Sequence, residues 1–375
     1  MAVSTRSFSI HVTDADIEDL TERLSSVSLP DPTPGASDES GIDLPRLGEL
    51  LEYWRSGYDW RANEVRLNAF PQIIADIDGQ QVHAVHISSG THSNGSKPPP
   101  IILTHGWPYS FIEMTRLVPL LANSASESQL DIVIPSLPGY GFSEPLKNGP
   151  FTGEAVADLW HRLMTEALGY GRYLTYGEDV GARVSDWSAA KYPESVAGLF
   201  ATHAAFPPDS RKNDLSPEEK DWVAWLNAKW NRASAYSDVQ GTRPDILAVA
   251  LRDSPAGLAA WIGEKLIAWS GDRPERFWSN DDLLTTISLY WYSRSIGTSF
   301  RAYYEYRSET EIPEIKVPVS VAVQHGEAGF PQSYAARTYK DYRSWRDLDD
   351  GGHFPAWQNS QEVAEGILDL AERVS

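Results

Sequence analysis

From residue 101 onward, short apolar runs alternate with helical stretches, and this alternation restricts the fold more than any other feature of the chain. Residues 101–104, 131–134, 173–176, 198–202 and 319–323 read as strands. Strands separated by helices form βαβ units and pair in parallel, so the expected class is α/β with a mostly parallel sheet. Between the last two strands, residues 216–307 are helical and rich in tryptophan, with no convincing strand. That stretch reads as a helical cap over the sheet's carboxyl edge, where open α/β sheets bind ligands.

Upstream, Ile17, Leu20, Leu24 and Val27 recur at helical spacing after Thr13, a residue type suited to capping, and the pattern stops in the turn-rich segment 30–40. A second amphipathic helix follows Pro45, with Leu47, Leu50, Leu51 and Trp54 on one face. Residues 73–77 and 81–86 flank Asp78-Gly79, a dipeptide that supports a tight hairpin, so a β-hairpin is expected there. Segment 88–100 reads as an exposed connection. The resulting division is an N-terminal region 1–97, an α/β core 98–206 and 311–375, and a helical cap 207–310.

Composition narrows the chemistry. The chain has no cysteine, which excludes disulfides, a thiolate nucleophile and zinc–thiolate sites. Its 32 basic against 52 acidic residues give a net charge of −20, a field that repels nucleic acid and anionic lipid. No apolar run approaches the roughly 18 residues that a membrane span needs, and residues 1–23 lack a signal-type core. A soluble, cytoplasmic protein is the expectation.

Several motifs lie at the ends of the expected strands. Residues 173–182 run from an apolar strand into Gly177-Glu178-Asp179-Val180-Gly181, a small-x-Asp-x-small turn leading to a helix. A nucleophile elbow needs small residues on both sides because the backbone turns so sharply. Asp179 as an ordinary helix N-cap is the competing explanation. His105-Gly106-Trp107-Pro108 follows the first core strand, where backbone N–H groups of Trp107 and Val180 can converge on one oxyanion. A plain glycine–proline turn accounts for Gly106 and Pro108 but not for His105. The turn 135–143 contains Gly-Tyr-Gly without the third glycine of a dinucleotide fingerprint. Near the end, Gly351-Gly352-His353 puts a histidine on a loop before a last helix 360–374, and Glu327 follows the strand 319–323. His83 and His86 fall on opposite faces of one strand and no HExxH occurs, so no metal and no other cofactor is proposed.

Taken together, His-Gly-Trp-Pro at 105–108, Pro-Gly-Tyr-Gly-Phe-Ser at 138–143, the Asp179 elbow and Gly-Gly-His-Phe at 351–354 resemble the microsomal-type epoxide hydrolases. Residues 58–61, 67–72 and 77–79 are similar to that family's N-terminal domain. The resemblance implies an α/β-hydrolase fold with a helical cap and an N-terminal meander. It implies Asp179 as nucleophile, His353 and Glu327 as the water-activating pair, and Tyr236 and Tyr303 as ring-opening acids, from the stretches 236–244 and 299–305. Val180 and Tyr109 depart from the family, which usually has tryptophan and a small residue there, and Trp107 and Tyr109 are expected along the substrate pocket. The partners implied are a small epoxide and water, and relatives suggest a homodimer. Soluble relatives serve in both detoxification and natural-product pathways.

The residue types suit that reaction. A carboxylate with a reference pKa of about 3.9 is already ionised at neutral pH and attacks without activation. The leaving alkoxide needs a proton, which phenols with pKa values of about 10 can supply. Two other readings share the fold: a haloalkane dehalogenase, which would want a side-chain N–H donor, commonly tryptophan, where Val180 stands, and a non-catalytic binding scaffold. A serine esterase lacks its Gly-x-Ser-x-Gly.

Overall fold

The computed structural model describes residues 3–34, 41–88, 99–122 and 129–375. Segments 30–40 and 88–100 lie for the most part outside them. Nine described strands form one sheet: β1 Val3–Phe8, β2 Gln72–Ile77, β3 Gln80–Ile87, β4 Ile101–Thr104, β5 Ile132–Pro135, β6 Tyr173–Gly177, β7 Val196–Ala201, β8 Ile315–Val323 and β9 Tyr339–Asp347. Their order is β1-β2-β3-β5-β4-β6-β7-β8-β9. All pairs from β5 across to β9 are parallel, while β1 to β3 are antiparallel to one another and β3 is antiparallel to β5. Every residue of β4, β5, β6 and β7 is buried, as sheets covered by helices on both faces require. Between β7 and β8 the described residues are helical, without a strand.

The hairpin closes as its dipeptide dictates. Asp78 and Gly79 both have positive φ, 54° and 85°, the condition of a type I′ turn, and the Gly79 N–H donates to Asp76 Oδ1 at 2.7 Å. This hairpin does not stand apart, because β3 continues into the core through β5.

The first two helices, Asp14–Ser25 and Leu44–Ser56, bury the faces their spacing marks, including Leu20, Leu24, Leu47, Leu50, Leu51 and Trp54. Their polar contacts reach the insertion. Trp54 Nε1 donates to Ser288 Oγ at 3.0 Å and the Tyr58 hydroxyl to Thr285 Oγ1 at 3.1 Å, both on the helix Asn280–Ser293. Arg23 donates to Asp253 Oδ1 at 2.8 Å from the other side. No described helix is long and apolar enough to cross a membrane.

Trp54 is 4% exposed and joins two regions distant in sequence. Trp54→Ala is expected to destabilise the protein by about 3–5 kcal/mol, read from the urea midpoint. A shift below about 1 kcal/mol would show that the two regions hold together without it.

Candidate active site

β6 delivers the chain into a turn whose apex is Asp179, at φ 53° and ψ −118°. Asp179 stands at the N-cap position of the helix Val180–Lys191 that follows, but its backbone is not extended and its side chain makes no capping bond, so it does not serve as an ordinary N-cap. The flanking glycines are required by contact. A Cβ on Gly177 would lie 2.1 Å from the Gly181 carbonyl oxygen, and one on Gly181 would lie 2.2 Å from the Thr104 carbonyl oxygen at the end of β4. A Cβ on Gly106 would lie 2.5 Å from Asp179 Oδ1. Absent side chains therefore make the space that the carboxylate occupies.

Two backbone donors face that carboxylate. The Trp107 N–H donates to Oδ1 at 3.0 Å, and the Val180 N–H also hydrogen-bonds the group. His353 Nε2 lies 3.3 Å from Oδ2. Burial by itself raises the Asp179 pKa, but the hydrogen bond and charge of His353 and the two N–H donors outweigh it and hold the group below the ordinary carboxylate value. Asp179 is thus ionised at neutral pH.

His105 supports this arrangement from behind. Its Nε2 accepts from the Leu137 N–H at 3.1 Å, which assigns the proton to Nδ1, 2.9 Å from the Gly106 carbonyl. Burial lowers its pKa to about 4, so the ring is neutral and ties the 105–108 loop to the turn after β5. His203, just past β7, has no counterpart in the sequence motifs. Its Nδ1 accepts from the Asp179 N–H at 3.3 Å, leaving Nε2 to donate to the His353 carbonyl at 3.3 Å. Burial, and then the charge of His353, lower its pKa to about 3. Position alone signals it: the end of a parallel strand on the ligand-binding edge.

The other expected residues fall nearby in different ways. Tyr236 and Tyr303 share a cavity of about 740 Å³ with Asp179, Glu327 and His353. Their rings meet edge to face at 5.8 Å and their hydroxyls hydrogen-bond one another. Burial first and then the charge of Asp179 raise the Tyr236 pKa against the opposing bond from Tyr303, while burial, then Tyr236 and Asp179 raise that of Tyr303, so both phenols are protonated at neutral pH. Glu327 makes no hydrogen bond to His353 among the described residues and acts on it through charge. Burial raises the Glu327 pKa and the charge of His353 opposes it. Trp107 and Tyr109 are fully buried and do not line the cavity. The Trp107 ring lies under Tyr236, stacked at 5.3 Å, and its N–H rather than its ring meets the site.

Residues 5–114 match the family model described as epoxide hydrolase N terminus, and residues 99–360 match that of the alpha/beta hydrolase fold. A putative epoxide hydrolase of Stigmatella aurantiaca is 37% identical over 94% of this chain and 81% of that protein. The chain belongs to the microsomal-type epoxide hydrolase family. Epoxide hydrolase 1 of Sus scrofa is 29% identical over 97% of this chain and 88% of its own. Among crystal structures, juvenile hormone epoxide hydrolase of Bombyx mori superposes with a TM-score of 0.91 at 27% identity, covering 100% of this chain and 95% of that one. The Aspergillus niger epoxide hydrolase gives 0.85 at 28% identity, covering 99% and 96%.

Asp186, on the helix after the elbow, also lines the cavity and accepts from the Tyr339 hydroxyl at 2.9 Å. Burial raises its pKa to about 7, against the help of Tyr339 and Arg183. The folded state therefore holds a proton that the unfolded state has lost between about pH 4 and 7, and stability from this group disappears as pH rises through that window. Asp186→Asn is expected to gain stability relative to the parent between pH 5 and pH 8, measured from urea midpoints. A constant difference across that range would contradict the assignment.

Proposed function

We propose that the protein converts an epoxide to a vicinal diol through a covalent ester on Asp179. The observation that carries this reading is the convergence of an ionised carboxylate and two protonated phenols on one cavity. In the first step an Asp179 oxygen bonds to a ring carbon while the carbon–oxygen bond of the ring breaks. The departing alkoxide takes a proton from Tyr236 or Tyr303, and solvent later restores the phenol. In the second step water attacks the ester carbonyl as His353, supported by Glu327, takes its proton. The oxyanion forms against the N–H groups of Trp107 and Val180, and its collapse breaks the ester bond, the leaving oxygen taking back the proton held by His353 to give the diol while Asp179 loses its proton to solvent and returns to the carboxylate. The paired phenols favour this over a dehalogenase, which has no alkoxide to protonate, and the intact constellation favours it over a scaffold.

The cavity also restricts the substrate's charge. Its two strong cations are engaged, Lys212 with Asp209 at 2.8 Å and Arg183 with Glu309 at 3.5 Å. Glu311 and Asp186 line it as well. A carboxylate brought there would shed water without finding a free cation in return, so the proposed substrates are uncharged epoxides.

Mixing with styrene oxide is expected to yield diol, lost in Asp179→Ala. His353→Gln should accumulate an Asp179 ester visible by mass, and an unchanged protein mass would refute the covalent route. A single turnover in isotopic water should place unlabelled Asp179 oxygen in the diol. Tyr236→Phe combined with Tyr303→Phe should slow ester formation by roughly 10²–10⁴. For a matched pair of epoxides, kcat/KM for the methyl ester should exceed that for the free acid by about tenfold at low ionic strength, and the gap should narrow with salt. Equal values would remove the charge argument while leaving the reaction in place.

A further inference from the structure

Behind Asp179 lies a second carboxyl that the two-step scheme leaves without a role. Glu178 is fully buried, and a buried carboxyl is costly unless it is partnered. Its Oε1 accepts from the Tyr176 hydroxyl, and from the Ala356 N–H at 2.6 Å. Ala356 lies in the short helix Pro355–Gln358 that directly follows His353-Phe354, so this bond fastens the elbow to the histidine loop. Among the described residues neither Oε2 nor the buried hydroxyl of Tyr109 has a partner at ordinary hydrogen-bond distance, and the two interact with each other at longer range. The two groups lie near enough that Glu178, after burial, is the leading cause of the raised Tyr109 pKa. The Tyr109 ring in turn meets the His353 ring edge-on at 6.4 Å and Phe354 at 5.0 Å.

One carboxyl thus touches the elbow on one side and the histidine loop on the other. An aliphatic residue of similar size would fill this space without the penalty of a half-satisfied acid. Glu327, by contrast, acts on His353 without a hydrogen bond among the described residues.

We propose that Glu178 is a positioning residue for ester hydrolysis, holding the His353 loop on the elbow and placing negative charge beneath an imidazole that becomes imidazolium during the step. The inference rests on the two-step reading of the site. The groups that face Glu178 are Tyr176 on β6, Tyr109 after β4, His353, and the Ala356 N–H. Burial raises the Glu178 pKa to about 7, opposed by Tyr176, by Ala356 and by the charge of His353. Its charge is therefore fullest on the alkaline side of neutrality.

Glu178→Gln keeps the shape and the acceptor for Ala356 while removing the charge. Single turnovers with styrene oxide, followed by the mass of the Asp179 ester, separate ester formation from ester decay. In Glu178→Gln, formation is expected to stay within about threefold of the parent and decay to slow by about tenfold or more. The pH limb of decay that reports the base should move to lower pH, because losing a nearby negative charge weakens the imidazolium. Glu178→Leu, which also breaks the Ala356 bond, should slow decay further. Tyr109→Phe provides a second route if Glu178→Gln does not fold, with a smaller shift of the same limb in the same direction. A folded variant whose decay rate and pH limb match the parent overturns the proposal, as does equal slowing of both steps with no limb shift. If the parent itself forms no ester, it is the two-step reading that fails, before any variant is compared.

Discussion

The backbone at Asp179 governs the rest of the molecule. A non-glycine residue held at φ 53° costs on the order of 1–3 kcal/mol, and such a conformation persists only where its surroundings enforce it. Here the enforcement is subtractive. Gly177, Gly181 and Gly106 leave out the atoms that would collide with the turn, with β4 and with the carboxylate itself. The same close approach brings the Trp107 and Val180 N–H groups onto the carboxylate, so one geometric demand produces both the carboxylate's position at the cavity and its donors.

Neutral histidines then act as fasteners. His105 and His203 are both buried, both have pKa values pushed far down by desolvation, and both donate from one ring nitrogen while accepting at the other. A group that can do both bridges two backbone segments without bringing in a charge. His105 joins the oxyanion loop to the turn after β5, and His203 joins the elbow to the carbonyl of His353. Of these three histidines, His353 is the one whose ring nitrogen lies against the carboxylate, at 3.3 Å.

Much of this was legible in the sequence because it rests on local rules. Strand β4, the last helix, the Asp78-Gly79 turn and the buried faces of the first two helices fall where apolar spacing and turn chemistry put them. Strands β1 and β9 escaped notice because they lie at the two edges of the sheet, where an exposed flank admits Arg6, Arg343 and Asp341 and no continuous apolar run develops. At the site, motif residues predicted Asp179, His353 and the paired tyrosines as neighbours, and they share a cavity. Trp107 and Tyr109, expected along the substrate pocket, are buried behind residues that line it, the Trp107 ring under Tyr236 and the Tyr109 ring against His353, and spacing along a loop does not tell which side chains a distant helix will cover. His203 and Glu178 carried no motif of their own: His203 is signalled only by its place after a strand and Glu178 only by its place in the elbow, and the meaning of each comes from what the fold brings against it.

The insertion between β7 and β8 is held by the start of the chain as well as by the core loops beneath it. Ser288 and Thr285 find their partners on Trp54 and Tyr58, and Asp253 finds Arg23. The piece of this protein that behaves as a transferable module is therefore discontinuous. A chimera built by exchanging the insertion alone would separate complementary surfaces that were shaped together, whereas crossovers that carry the N-terminal helices with it preserve them. A substitution in the insertion that alters this seam therefore has its complementary partner far upstream, 234 residues away in the case of Trp54 and Ser288.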